Sequence, residues 1–161
     1  MEGTETVIAA GLGCRQGCAA HELLAAVDRA LARADKRRSD IHALYAPSFK
    51  HAEPGLAEAA VELARPLVLL ELSVLRCQSP HVLTQSAQVL LRFGVPSIAE
   101  TAALAGACTF ASVYDTTHAA HVARAPHEPR ARLLGPRQQS GGATCALAEL
   151  DSHWTAMERS L

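Results

Sequence analysis

The apolar residues of the chain fall into short runs that alternate with segments of helical periodicity. Residues 6–10, Thr-Val-Ile-Ala-Ala, form a β-branched run that ends at Gly11, which is typical of a buried strand entering a turn. An alanine-rich segment follows, and its larger apolar residues recur at helical spacing: Leu23, Leu24, Val27 and Leu31. The pattern therefore predicts a first strand and then a helix over about residues 19–34.

The same alternation continues into the middle of the chain. Residues 41–46 predict a second strand and Pro47 interrupts it, whereas Pro54 opens a helix because proline is tolerated in the first helical turn. Residues 67–72 are almost entirely apolar and predict a third strand. A strand with so little polar alternation is typical of a sheet that is covered on both faces.

The last part of the chain predicts further helices and strands. Residues 79–93 have a mostly helical pattern. Ser97 and Glu100 have the spacing of a capping box, in which each side chain accepts a hydrogen bond from the other residue's backbone N–H, and this predicts a helix that begins there. The remaining strand candidates are residues 109–114, 132–134 and 144–147, and the pattern over residues 115–130 assigns no element.

These elements predict one α/β domain over residues 1–161. A length of 161 residues suits a single domain with its own core. Alternating strands and helices indicate a three-layer α/β/α arrangement with a mainly parallel or mixed central sheet. We expect residues 1–5 and 150–161 to be peripheral tails.

Composition and charge argue against several classes of partner. The formal net charge of −1 and the 4% of aromatic residues offer neither a positive field for phosphate backbones nor a platform for stacking bases, so no nucleic-acid partner is predicted. The longest apolar stretch, residues 66–75, contains Glu71 and Ser73 and is too short to span a membrane. The N-terminal residues are acidic where a secretory signal is basic. We therefore expect a cytoplasmic protein with no membrane partner.

The cysteines and histidines do not predict a metal site. The five cysteines are Cys14, Cys18, Cys77, Cys108 and Cys145, and we expect them to be reduced thiols. Cys14 and Cys18 lack the spacing of a zinc or redox pair, and although a helix N-terminus would lower the pKa of these thiols, no ordered base lies nearby. His118 and His121 have helical spacing, with His127 close by, but they match no ligand motif. No metal and no cofactor is therefore predicted.

A glycine-rich segment, residues 11–17, lies between the first predicted strand and the first predicted helix. At that position backbone N–H groups and the helix dipole favour an anion, and Arg15 adds a charge suited to a carboxylate. A dinucleotide fingerprint does not fit, because position 16 is glutamine and no acidic residue follows the second strand; the Gly-Lys-Ser/Thr of a phosphate loop is absent. Two interpretations stay open, an anion site and a tight turn whose glycines only let the strand meet its helix. The candidate ligand-binding residues are Gly11, Gly13, Cys14, Arg15 and Gly17.

Three further segments add candidate ligand-binding residues. The second strand-to-helix loop places a cation and a carboxylate at the edge where α/β domains bind ligands, although the two would also form an ordinary ion pair. Residues 84–86 supply hydroxyls, and residues 138–144 form a polar segment that either closes over a ligand or is a hairpin loop. The candidates are Lys50, Glu53, Thr84, Ser86, Ser140 and Thr144.

Taken in this order, the segments resemble the family of cobalamin-biosynthesis proteins that comprises stand-alone CobE and the C-terminal domain of CbiG. The resemblance spans nearly the whole chain. It is carried by residues 11–17, Lys50-x-x-Glu53-x-Gly55-Leu56, Thr84-x-Ser86, Pro-Ser-Ile-Ala-Glu at 96–100 and Gln-Ser-Gly-Gly-Ala-Thr-Cys-Ala-Leu-Ala at 139–148. The chain departs from the family at Cys18, where Thr or Ser is frequent, and over residues 107–129, which form a longer stretch. It also lacks the N-terminal region of CbiG, as the stand-alone form does.

The resemblance implies a role in making the corrin ring, whose precursors carry many acetate and propionate side chains. It implies a precorrin-type tetrapyrrole as ligand, with Arg15 and Lys50 facing its carboxylates, and other cobalamin-pathway enzymes as partners. Two functions remain open. One is a carrier that binds the intermediate; the other is a hydrolase similar to CbiG, which opens a ring lactone and releases acetaldehyde, with Glu53 or Glu100 as general base.

Overall fold

The structure, a computed structural model, describes residues 7–117 and 131–150. Six strands in these residues form one sheet: β1 (Ile8–Cys14), β2 (Ile41–Pro47), β3 (Leu67–Leu70), β4 (Ala131–Leu133), β5 (Gln138–Ser140) and β6 (Ala143–Leu150). Five α-helices flank it: α1 (Ala20–Ala34), α2 (Pro54–Leu63), α3 (Leu72–Arg76), α4 (Ala87–Phe93) and α5 (Ile98–Thr117). The predicted α/β class is confirmed, and the described residues form a single domain.

The sheet is mixed, with the strand order β3-β2-β1-β6-β4 and with β5 also paired to β6. Strands β1, β2 and β3 are parallel, whereas β6 runs antiparallel to β1 and pairs antiparallel with β4 and β5. Consequently the ends of β1 and β2, at Cys14 and Pro47, lie at the same edge as the start of β6, at Ala143. We call this the carboxyl edge.

Each face of the sheet buries its own core. Ile8, Ala10 and Leu12 belong to the core under α1 and α2, and the intervening Ala9 belongs to the core under α5, because successive strand side chains point to opposite faces. The buried residues of α5 are mostly alanines: Ala99, Ala102, Ala103, Ala105 and Ala107. This small-residue packing explains how a chain with 4% aromatic residues fills two cores.

Gly11 is the point where β1 and α5 approach most closely. It is paired in the sheet with Tyr45 of β2 and Ala146 of β6, and a Cβ at this position would overlap the backbone of Ala99 and Ala103. The strand therefore continues through Gly11 to Cys14. The prediction of a turn over residues 11–17 is wrong for its first half, and the connection to α1 is confined to residues 15–19.

The strand predicted over residues 109–114 is also wrong, because α5 continues to Thr117. Within the helix, the Thr109 hydroxyl donates to the Ala105 carbonyl at 2.8 Å. The β-branched and aromatic residues of this stretch have only a weak preference for strand, and the helix that begins at Ile98 overrides it.

The helix predicted over residues 79–93 forms only in its last seven residues, which are α4. Before it, Ser79–His81 form a short 3-10 helix, and residues 82–86 form a loop in which the backbone N–H groups of Leu83 and Thr84 donate to the Glu100 carboxylate at 2.6 and 2.9 Å. A partner from a distant part of the chain thus replaces the local helical hydrogen bonds.

Among the described residues, no single helix is long and apolar enough to cross a membrane. The pair formed by α4 and the first part of α5 meets that criterion by length and composition only, with a bend of 62° between them.

Candidate functional site

The carboxyl edge brings the first two strand-to-helix loops together, because the parallel strands β1 and β2 end side by side. The Gly17 N–H donates to the Glu53 carboxylate at 3.0 Å, and Lys50 Nζ lies 3.9 Å from the same carboxylate. The predicted ion pair is present, and its side chains are only 18% and 12% exposed. The turn after β1 therefore offers a backbone donor that binds a carboxylate, here one from the protein itself.

The β5–β6 hairpin covers the other side of the same turn. The Arg15 N–H donates to the Gly142 carbonyl at 2.9 Å, and the Thr144 hydroxyl donates to the Gly13 carbonyl at 3.4 Å. Residues 138–144 contain the β5–β6 pairing and form a hairpin. Arg15 is consequently fixed at its backbone while its side chain lies on the surface.

Glu22, in the first turn of α1, links the β5–β6 hairpin to the start of the helix by hydrogen bonds. Its carboxylate accepts hydrogen bonds from the Ala19 N–H at 2.9 Å, the Gly142 N–H at 3.2 Å and the Cys18 thiol at 3.3 Å. These bonds lower the pKa of Glu22, with the bond from Ala19 as the largest cause and the bond from Gly142 next. An anion in the first turn is also favoured by the helix dipole.

We expect this contact to weaken in acid. A carboxylate whose pKa is lower in the folded state adds stability above its ordinary pKa of 4.5, and that stability is lost as the pH falls through the folded-state value. Thermal unfolding followed from about pH 7 to about pH 3 should show a smaller decrease in Tm for Glu22→Gln than for the wild type. Glu58→Gln, which changes an exposed glutamate of α2, should follow the wild-type profile; a Glu22→Gln profile equal to the wild type would contradict the expectation.

The thiols at this edge are held in the protonated form. Burial raises the pKa of Cys14, although Lys50 opposes the effect. The pKa of Cys18 rises to about 12, first through burial and then through its hydrogen bond to Glu22. Burial therefore outweighs any lowering by the helix N-terminus. All five cysteines lie in the described residues and none forms a disulfide.

Glu100 is the buried polar centre beside the start of α5. Its side chain is fully buried, with one oxygen accepting from Leu83 and Thr84 and the other from the Arg137 N–H at 3.2 Å. The Ser97 half of the predicted capping box is present, since the Glu100 N–H donates to the Ser97 hydroxyl at 3.4 Å. The predicted hydrogen bond from the Ser97 N–H to the Glu100 carboxylate is wrong. The carboxylate instead accepts hydrogen bonds from two loops, one with Leu83 and Thr84 and one with Arg137.

The predicted ligand-binding residues divide into two groups. The residues that lie together at the carboxyl edge or in its hairpin are Gly13, Cys14, Arg15, Gly17, Lys50, Glu53, Ser140 and Thr144. Gly11 is buried beneath α5, Thr84 belongs to the loop held by Glu100, and Ser86 caps α4 with its hydroxyl. In the part of the chain that the structure describes, no hydrogen bond joins Thr84 or Ser86 to the first group.

Sequence reasoning missed an aromatic pair at this edge. Phe49, which follows the end of β2, stacks on Phe93 at the end of α4, and Arg92 lies beside the second ring. The signal in the sequence was the position of Phe49 directly before Lys50 in a chain with few aromatic residues.

Cavities lined by described residues also lie elsewhere in the fold. The larger, about 760 Å³, lies where β1 and β2 begin and is lined by residues that include Ser39, His42 and Arg65. The Arg65 guanidinium there donates to the carbonyls of Ile41 and Ser39 at 2.6 and 3.3 Å. The smaller lies beside the C-terminal half of α1. Lys36 also lines the larger cavity, but the Arg65 guanidinium there is held by backbone carbonyls. At the carboxyl edge the Arg15 guanidinium has no such partner among the described residues, so we take this edge as the candidate site.

No group of three or more His, Cys, Asp or Glu side chains within residues 7–117 and 131–150 could hold a metal ion. The sequence candidates His118, His121 and His127 lie outside the described residues.

Comparison with known proteins identifies the family. A family model described as Cobalamin synthesis G C-terminus matches residues 8–148. Protein CobE of Sinorhizobium sp is 31% identical over 97 residues, a match that covers 60% of this chain and 63% of that protein. The match thus spans less than two thirds of the length of that relative.

Crystal structures agree with this match. CobE, a protein from the cobalamin (vitamin B12) biosynthetic pathway, superposes with a TM-score of 0.74 at 34% identity over 91% of this chain and 92% of that one. Cobalamin biosynthesis protein chiG from Agrobacterium tumefaciens str. C58 gives 0.60 at 27% identity over 90% and 99%. The chain therefore belongs to the Cobalamin synthesis G C-terminus family, and it is a cobalamin biosynthesis protein of the CobE/CbiG type.

Proposed function

We propose that this protein binds a polycarboxylated, precorrin-type tetrapyrrole at the carboxyl edge and serves as its carrier or accessory protein, passing it to other enzymes of the pathway. The observation that carries the proposal is the convergence of Arg15 and Lys50, from two separate loops, on one edge of the sheet. Corrin precursors have a rim of acetate and propionate groups. Two cations on one surface suit such a rim, because charge-assisted hydrogen bonds to carboxylates are among the strongest.

Arg15 supports the proposal most directly. Its backbone is fixed by Gly142, its side chain is exposed, and its guanidinium makes no hydrogen bond or ion pair with the described residues. The planar guanidinium presents paired donors that match the geometry of a carboxylate. The donors of Arg15 are therefore available to an external anion.

Lys50 and the helix starts add to this positive surface. At 3.9 Å from Glu53, the Lys50 ammonium is at the long limit of an ion pair, so a ligand carboxylate competes readily for it. Helices α1 and α2 begin at Ala20 and Pro54, directly after the two loops. Their N-terminal ends carry partial positive charge that favours anions nearby.

The glutamates favour a carrier over a lactone hydrolase. Glu100 is fully buried, and both of its oxygens accept backbone hydrogen bonds. Glu53 accepts the Gly17 N–H and faces Lys50. A general base needs an oxygen within hydrogen-bond reach of the substrate proton, and both oxygens of Glu100 and one oxygen of Glu53 already accept hydrogen bonds within the protein.

Arg15→Ala is expected to weaken ligand binding about 10- to 100-fold, because a charge-assisted hydrogen bond contributes about 1.5–3 kcal/mol. The measurement is an absorbance titration with a metal-free corrin whose acetate and propionate side chains are free acids. Arg33→Ala is the matched control, since Arg33 is an exposed arginine at the opposite end of α1. We expect it to bind like the wild type.

The outcomes separate the parts of the proposal. No spectral change with the wild-type protein would refute tetrapyrrole binding, and unchanged affinity of Arg15→Ala would remove Arg15 from the site. Incubation with a lactone-bearing precorrin, followed by mass spectrometry, compares the two functions. Recovery of unaltered pigment supports the carrier, whereas a mass change equal to the gain of one water and the loss of one acetaldehyde supports the hydrolase.

A further inference from the structure

The Glu53 carboxylate occupies a position that a ligand carboxylate would also take. One of its oxygens accepts the Gly17 N–H at 3.0 Å, and the other lies 3.9 Å from Lys50 Nζ. A backbone N–H beside an ammonium suits any carboxylate, and both donors belong to the carboxyl edge. The protein therefore fills part of its own candidate anion site.

Helix capping does not account for this contact. Glu53 is the residue directly before α2, where a side chain commonly accepts a hydrogen bond from the first turn of its own helix. The Glu53 side chain makes no such bond and instead reaches Gly17, which is 36 residues away along the chain. Its position therefore reflects the attraction of the two donors at the carboxyl edge.

The turn that contains Gly17 has free space beside it. The Cys18 N–H closes the turn by donating to the Arg15 carbonyl at 3.1 Å, and Gly17 has a φ of 76°, the left-handed conformation that favours glycine. Gly17 is exposed, and a Cβ built on it would meet no atom of the described residues within 4 Å, its chain neighbours aside. A ligand can therefore approach this turn closely.

Glu53 is held less firmly than the two other carboxylates that join loops. Glu22 and Glu100 each accept three hydrogen bonds from the described residues, whereas Glu53 accepts one, from the exposed Gly17. The Lys50 ammonium donates no hydrogen bond to any described residue, although its side chain is only 18% exposed. If a ligand carboxylate takes the place beside Lys50, departure of Glu53 leaves no buried donor without a partner, so the exchange costs little.

The charge of Glu53 works against the ligand while it stays in place. Its carboxylate offsets one of the two cations, Arg15 and Lys50, on which the proposed site depends. A ligand carboxylate that approaches Lys50 meets this negative charge beside the same ammonium, and like charges side by side disfavour binding. Glu53 and a ligand carboxylate therefore exclude each other.

We propose that Glu53 is an internal competitor for the ligand: it holds the Gly17 N–H and Lys50 in the free protein, and a carboxylate of the tetrapyrrole displaces it on binding. This inference rests on the proposed function. It adds a means of release, because a tethered carboxylate stays close to the two donors and rebinds them when the ligand leaves. For a carrier, the lower affinity that results allows the pigment to pass to the next enzyme.

The experiment compares two forms of the same metal-free corrin, one with free carboxylates and one with the carboxylates amidated. Glu53→Gln removes the charge and keeps an oxygen that can accept the Gly17 N–H. We expect it to bind the free acid about tenfold more tightly than the wild type, as is usual for contacts coupled in this way. The free acid should also dissociate more slowly in stopped-flow dilution, because affinity differences between variants appear mostly in the dissociation rate. The amidated form should bind the variant like the wild type.

Two further variants control for charge and for folding. Glu62→Gln makes the same change of charge at an exposed position near the end of α2, and it should bind both forms like the wild type. Should Glu53→Gln be unfolded by circular dichroism, Glu53→Ser also removes the carboxylate, and serine is a favourable residue at the start of a helix. We expect the same gain in affinity from it.

The outcomes distinguish this inference from the proposed function. If the wild type binds the free acid and Glu53→Gln binds it equally or more weakly, Glu53 is a structural contact, the inference is overturned and the proposed function stands. An equal gain in Glu62→Gln would show a general effect of net charge and would also overturn it. If neither the wild type nor Glu53→Gln binds either form, the proposed function fails and this inference fails with it.

Discussion

Replacing Glu100 with alanine is expected to lower the free energy of unfolding by about 3–6 kcal/mol, because three partly buried backbone donors lose their acceptor at about 1–2 kcal/mol each, the lower part of the range for an unsatisfied donor. The carboxylate accepts the N–H groups of Leu83, Thr84 and Arg137, and the side chain is fully buried. Small domains are stable by only about 5–15 kcal/mol, so a loss of this size approaches unfolding. Urea denaturation followed by circular dichroism measures it.

Two further variants test the cause of that loss. In Glu100→Gln the amide oxygen still accepts from Leu83 and Thr84, but the amino group faces the Arg137 donor, so we expect a loss of about 1–3 kcal/mol. Glu58→Ala, at an exposed position on α2, should change stability by about 0.5 kcal/mol or less. Similar small losses in all three variants would show that the buried hydrogen bonds contribute little.

Glu100 also shows where sequence reasoning fails. Its spacing from Ser97 predicts a capping box, and the serine half forms, since the Ser97 hydroxyl accepts the Glu100 N–H. The Glu100 carboxylate does not accept the Ser97 N–H. It accepts the N–H groups of Leu83 and Arg137 instead, which are 17 and 37 residues distant along the chain. A motif of four residues contains no information about such partners. The same long-range contact explains why the helix predicted from residue 79 begins only at Ala87.

Elements whose signal is local were predictable. The helix predicted over residues 19–34 is α1, and the residues whose spacing predicts it, among them Leu23 and Val27, are buried in the core. The strands predicted from residues 41 and 67 are β2 and β3. In α1 and β2 the larger apolar residues are the buried ones, whereas β3 has the apolar run of a covered strand but lies at the edge of the sheet and leaves Leu69 38% exposed.

The candidate site was predictable in part, for a topological reason. Parallel strands followed by helices place their loops at one edge, so Arg15 and Lys50 could be expected there before their contacts were known. The pairing of Phe49 with Phe93 depends on how α4 packs, and no local pattern indicates that. From the sequence, Gly11 could belong to an anion site or to a tight structural turn. The structure shows a third role: the missing Cβ leaves room for the backbone of α5 to pack against β1.

Gly11→Ala is the second substitution for which we expect a large effect. Its Cβ would overlap the Ala99 carbonyl and the Ala103 backbone N, and these atoms belong to a helix backbone, so no side-chain rotation relieves the contact. Helix α5 would have to move away from a face lined by small residues, which opens the core on that side of the sheet. We expect a loss of about 3 kcal/mol or more in the free energy of unfolding, measured by urea denaturation.

Two other glycines provide graded controls for that prediction. A Cβ at Gly13 would lie 2.6 Å from the Thr144 hydroxyl, which rotates away, so Gly13→Ala should cost less than Gly11→Ala. A Cβ at Gly142 would lie at ordinary contact distance, 3.5 Å, from the Arg15 side chain, so Gly142→Ala should change stability by about 0.5 kcal/mol or less. If Gly11→Ala were as stable as Gly142→Ala, α5 would have to lie further from β1 than described. We therefore expect the loss of stability to decrease in the order Gly11, Gly13, Gly142. A Cβ at Gly11 meets helix backbone, one at Gly13 meets a hydroxyl that can rotate, and one at Gly142 meets a side chain at ordinary contact distance.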